Sequence, residues 1–217
     1  MPTIGVIIER GTKRVFASAA DWPGWARSGK DEGEALAALL AYAPRYARIA
    51  KKLGFAPPKD ISDLHVVERT GGNATTDFGA PGVPAKIDAA KVGDADLARL
   101  YAALDVCWRA FDATVAKARG KALAKGPRGG GRTLDKIAAH VYEAELAYLS
   151  GLGAPFKSKG SDLTAERAAV REALAASARG EIPAKGPRGG LRWKPRYFVR
   201  RAMWHTLDHL WEIEDRS

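Results

Sequence analysis

The stretch YFVRRAMWHTLDHLWEIEDR, residues 197–216, decides how the second half of the chain is read. It reads as an amphipathic helix that opens near Pro195, a residue suited to a first helical position. Two of the chain's four histidines, His205 and His209, stand four residues apart on it. Residues four apart share one helix face about 6 Å from each other, so both imidazoles can point at one metal ion. Imidazole is neutral near pH 7 and is a common ligand for zinc, nickel or iron. The same spacing also suits two core histidines bonded to backbone carbonyls, and the pair alone leaves both readings open.

Three further helices precede it. The first begins near Asp94 and carries Leu97, Leu100, Tyr101, Leu104, Trp108, Phe111 and Val115 as one apolar stripe. The second has Thr133 as N-cap and Asp135 in its first turn, and carries Ile137, His140, Val141 and Tyr148. The third begins near Thr164, carries Val170 and Leu174, and stops at Gly180. Four amphipathic helices of this length predict a helical bundle over residues 94–217.

A metal held by His205 and His209 needs a third ligand, and His140 is the strongest candidate. His65 lies in a strand region with no obvious partner. His140 falls roughly 10 Å along its helix, and the terminal pair roughly 12 Å from the far end of theirs. The levels match when the two helices run antiparallel, as in an up-down-down-up bundle. LGAPFKSKGSDL, 152–163, is long enough to supply the crossover such a bundle needs.

The histidine followed by glutamates in AAHVYEAELAYL, joined to the terminal WHTLDHLWEIE, resembles the DinB/YfiT-like superfamily. The resemblance covers about residues 94–217. It implies an up-down-down-up four-helix bundle that binds a divalent metal through His140, His205 and His209. It also implies, for some branches, transfer or isomerisation chemistry with a low-molecular-weight thiol such as mycothiol, bacillithiol or glutathione. Three protein ligands leave an open coordination position at which water or a thiol is acidified. Glu143, one turn beyond His140, and Glu212, three residues beyond His209, are the candidate catalytic groups. Each also suits an ordinary solvated position. Trp204 and Trp211 read as core, and Cys107 as a buried, inert thiol on the first stripe.

AKGPRGG occurs twice, at 124–130 and 184–190, and each copy is followed by an arginine two residues on. Gly-Pro and Gly-Gly break helices, so both copies read as loops. Arg128, Arg132, Arg188 and Arg192 are the candidate anion-binding residues, since arginines and bare N–H groups before a helix suit phosphate or carboxylate. The pattern has neither Walker nor dinucleotide spacing. In the up-down-down-up arrangement the two copies fall at opposite ends of the bundle.

The first part reads as mixed α and β. IGVIIER and RVFASAA are strands about a GTK turn, and LHVVERT at 64–70 is a further strand. Between them, Asp31 caps a helix carrying Leu36, Leu39 and Leu40, which Pro44 is expected to kink or end. The strand ending in DWPGW, then SG, then a helix opening on DEGEAL, resembles the HicB-like β-β-α-β unit over about residues 1–70. That resemblance implies an antitoxin-like role, although no helix-turn-helix accompanies it. Residues 71–93 are rich in Gly, Pro and Ala and break every period. The expected organisation is an α+β domain at 1–75, a linker at 76–93 and the bundle at 94–217.

The chain of 217 residues has a net charge of +10, and residues 94–217 carry 22 of its 35 basic residues. Two stretches, 117–132 and 185–201, hold no acidic residue. They suit an acidic small molecule or nucleic acid, or are simply solvated. One cysteine excludes an internal disulfide framework, and neither a membrane-length apolar run nor a signal peptide is visible. A cytoplasmic protein is expected, with the oligomeric state, a dimer included, left open. The expected function is metal-dependent transfer or hydrolysis on a small-molecule substrate. The alternative is a nonenzymatic module that binds nucleic acid or protein through the HicB-like unit and the basic loops, with steep salt dependence for nucleic acid.

Overall fold

The computed structural model describes residues 3–125, 131–157 and 162–217. They form two compact units, Met1–Ala90 with Val199–Trp204, and Lys91–Phe198 with His205–Ser217. The fold class is α+β. No helix among the described residues is long and apolar enough to cross a membrane.

The first unit is built on a mixed sheet. Its strands are β1 (Ile4–Arg10), β2 (Val15–Ala19), β3 (Ala26–Gly29) and β4 (Leu64–Gly71), in the order β3-β2-β1-β4. β1 and β2 are antiparallel, with Arg10 opposite Val15. Gly11 N–H donates to the Arg14 carbonyl at 2.8 Å and closes the turn between them. β4 returns parallel to β1, which requires a crossover, and helix α1 (Glu32–Ala50) supplies it. Asp31 caps α1 by accepting from the Glu34 N–H at 2.8 Å.

Two expectations are corrected here. The sheet has four strands rather than three, because ARSG pairs with β2, Val15 opposite Gly29. Four residues without β-branched or alternating side chains give no local signal, and only that pairing makes them a strand. Of the two outcomes expected at Pro44, an end to the helix does not occur, since α1 continues to Ala50. Pro44 is exposed, while Ala35, Leu39, Ala43, Tyr46 and Ala50 form a continuous buried stripe. Tyr46 stacks on Trp25 with centroids 5.5 Å apart, and Phe55 meets both rings edge-on. Trp25 Nε1 donates to the Leu39 carbonyl at 3.0 Å. Aromatic packing on one face offsets the single backbone bond that proline cannot make.

The Gly- and Pro-rich segment after β4 is tied to this unit. It contains the short helix α2 (Ala74–Phe78) and a 3₁₀ turn at Lys86–Ala89. The buried Glu9 carboxylate accepts from Thr76 Oγ1, from Gly82 N–H at 2.8 Å and from Val83 N–H at 3.2 Å. Asp88, 1% exposed, accepts from Ala85 N–H and pairs with Arg200 at 3.0 Å. Buried acceptors thus order a stretch whose composition alone signals only irregularity. Trp204 belongs to the same unit and meets Phe16 edge-on beside Ala26 and Ala80.

The second unit is helical: α3 (Asp94–Ala118), α4 (Leu134–Leu152), α5 (Leu163–Ala178) and most of α6 (Pro195–Arg216). The contacts fix the helix directions. Trp108 reaches Glu145 while Phe111 meets Tyr142, so α3 and α4 are antiparallel. Tyr101 and Asp105 reach Arg171 while Asp112 pairs with Arg167, so α3 and α5 are antiparallel. Trp193 N–H, just before α6, donates to the Gly151 carbonyl, and Arg216 at the other end donates to the Arg132 carbonyl. Helices α4 and α6 are therefore antiparallel. Leu104, Phe111, Ile137, Leu149, Leu174, Leu210 and Trp211 are among the buried residues of this unit.

Candidate metal centre

Antiparallel α4 and α6 bring His140 level with His205 and His209. The ring centroids lie 4.9 Å apart for His140 and His205, 5.0 Å for His140 and His209, and 4.7 Å for His205 and His209. One ligand nitrogen from each ring can be chosen so that all three lie within 4.8 Å of one another. The closest pair is His140 Nε2 and His205 Nε2, at 3.1 Å. Two nitrogens on a tetrahedral ion with bonds of 2.0–2.1 Å lie roughly 3.3 Å apart, close to the spacing of that pair, and the three donors together could hold a metal ion. His205 is buried, and the other two rings are partly accessible.

The surroundings of His140 favour its neutral form. Burial lowers the His140 pKa, and the positive charges of Arg132 and His209 lower it further. Glu212 Oε2 lies 2.7 Å from His209 Nδ1, and Glu212 Oε1 lies 2.6 Å from Arg216. Burial would raise the Glu212 carboxyl, but the bonds from His209 and Arg216 hold it below its usual range. An ionised Glu212 can only accept, so His209 Nδ1 carries the proton and its Nε2 lone pair is left for the cluster. A carboxylate behind a ligand histidine fixes ring orientation and raises basicity.

The other candidate residues are divided. Glu143 is exposed and makes no hydrogen bond among the described residues, though its charge acts on His140. Arg132 is exposed at the start of α4. Arg188 is exposed in a small hairpin closed by the Lys185–Leu191 bridge. Arg192 donates to the Pro183 carbonyl and lies against Gly153, at the opposite end of α4 from Arg132. Arg132 and Arg192 therefore do not converge. Arg128 lies outside the described residues.

Three features escape the sequence reading. Arg216 is the partner of Glu212, and an i, i+4 Glu–Arg pair was the available signal. Tyr148 lies edge-on to His205 at 5.9 Å and beside Trp193 at 5.3 Å, an aromatic wall next to the cluster. Glu145 faces α3, where Trp108 Nε1 donates to it at 2.9 Å. Burial raises its pKa to about 7 against the opposing effects of Trp108 and Arg167. Its place four residues after buried Val141 was the sequence signal for an inward carboxylate.

The fold and cluster together define an α+β protein with a three-histidine candidate metal site between antiparallel helices. Comparison with protein-family models, curated proteins and solved structures returns no match for this chain.

Proposed function

We propose that the chain binds one divalent metal ion (zinc, nickel or iron) through His140, His205 and His209, and uses it in transfer or hydrolysis on a small molecule. The observation that carries this reading is the convergence of three imidazoles from two helices, with the Glu212 carboxylate behind one of them. A cation so held keeps an open position and acidifies a water or a low-molecular-weight thiol placed there. The chain's own residues do the rest. Glu212 holds His209 in one tautomer, Arg216 keeps Glu212 ionised, and Tyr148 with Trp193 offers an apolar wall beside His205. Glu143 is the accessible carboxylate positioned to exchange a proton with solvent.

The finer architecture is part of the same proposal. The helix directions support an up-down-down-up bundle of the DinB-like kind, and the sheet with its crossover helix supports a HicB-like relationship for the first unit. The single, buried Cys107 suits a reducing cytoplasmic compartment.

Elemental analysis of protein purified without a histidine tag tests this function. Stoichiometric metal is expected, lost in His209→Ala while circular dichroism is retained. Protein that cannot be loaded with zinc, nickel or iron would overturn it.

A further inference from the structure

A cavity of about 290 Å³ opens beside the start of α4. Lys121, Lys125, Arg132 and Arg216 line it, with Leu123 and Thr133, and among the described residues no carboxylate lines it. Among the described residues, Lys121, Lys125 and Arg132 have no ion-pair partner. Arg216 is balanced by Glu212, but the other three cations have no acid beside them and form a local excess of positive charge that favours an anion.

The wall is built rather than incidental. The Arg216 guanidinium donates to the Ala124 carbonyl at 2.9 Å and to the Arg132 carbonyl at 2.9 Å. The Arg216 carbonyl accepts from Ala124 N–H at 2.7 Å. One half-buried side chain thus ties Ala124, the first residue of the first AKGPRGG repeat, and Arg132, two residues beyond its end, to the end of α6. Gly131, at φ 152°, passes so close to this guanidinium that a Cβ would collide with it.

The same side chain connects the cavity to the histidines. Arg216 bonds Glu212, and Glu212 bonds His209. His209 and Arg216 are seven residues apart on one helix, so the cavity lies about 10 Å along the axis from the cluster. We propose that this cavity binds the anionic end, a carboxylate or a phosphate, of an extended small molecule whose other end lies at the three histidines. The ligand class is then an acid whose reacting group sits about 10 Å from its charge. The second half of this statement rests on the metal-site reading, and the cavity itself does not.

Isothermal titration with inorganic pyrophosphate and with glutarate, first in EDTA, tests the cavity without the metal. One-to-one binding of at least one probe is expected, and the tighter one tells phosphate from carboxylate. The double variant Lys121→Gln/Lys125→Gln should weaken that binding about tenfold. Lys51→Gln/Lys52→Gln, exposed lysines of the first unit that lose the same charge, should leave it unchanged. Failure of both probes to bind, or equal weakening in the two variants, would overturn the proposal. Binding in EDTA by protein that refuses zinc would keep the cavity and reject the metal site.

Discussion

His140 Nε2 and His205 Nε2 lie 3.1 Å apart, although 65 residues of chain separate them. The antiparallel sense of α4 and α6 produces this approach, and it is held at both ends by backbone carbonyls, Gly151 at one and Arg132 at the other. A displacement of one helix by a single residue, about 1.5 Å, would already spoil a bond of this length.

Glu212→Gln keeps the shape of the side chain but removes its charge. The amide can still meet His209 but no longer enforces the Nδ1–H tautomer or pairs with Arg216. Zinc affinity, read by competition with a chelating dye, should fall about 10–100-fold. Unchanged affinity would mean that Glu212 does not orient His209.

Glu145 makes the stability of the helical unit depend on pH. Its folded pKa is raised from 4.5 to about 7. Between these values the folded state keeps a proton that the unfolded state releases. Its stabilising contribution is full below about pH 4.5, declines as pH rises, and is gone above about pH 7. The loss is at most about 3 kcal/mol. Glu145→Gln should therefore be more stable than the parent at pH 8 and similar at pH 4.5. Denaturant titrations at both pH values measure this, and identical pH slopes in the two proteins would count against it.

Glu9→Ala removes the acceptor shared by Thr76, Gly82 and Val83. Three donors are left without their partner, at a cost of about 2–4 kcal/mol to the first unit. Limited proteolysis should then cut within residues 73–83 at protease levels the parent resists. Equal resistance would show that other contacts order the segment.

Pro44→Ala restores a backbone donor on the exposed side of α1. The helix should gain about 1–3 kcal/mol, less the unfolded-state entropy that proline had removed. Thermal unfolding of the parent and the variant, followed by circular dichroism, checks the direction. A lower midpoint in the variant would argue that the helix needs the proline.

Local signals carried much of this protein. Alternating and β-branched residues at 4–10 and 64–71, apolar stripes on α3, α4 and α6, and the caps Asp31 and Thr133 are legible residue by residue. So was the short set of histidines to compare, because the chain has only four. Short-range physics determines these features: helical and strand periods are printed directly in the order of side chains. Tertiary structure alone decided β3, whose four residues are a strand only against β2. It alone decided that α1 passes Pro44 and that Glu9 orders the segment after β4. It also set the meeting of His140 with His205 and His209, and the Arg216 clamp behind them. Each of these depends on groups distant in sequence sharing a buried surface, and the free energy of such contacts leaves no periodic trace in either partner's own neighbourhood.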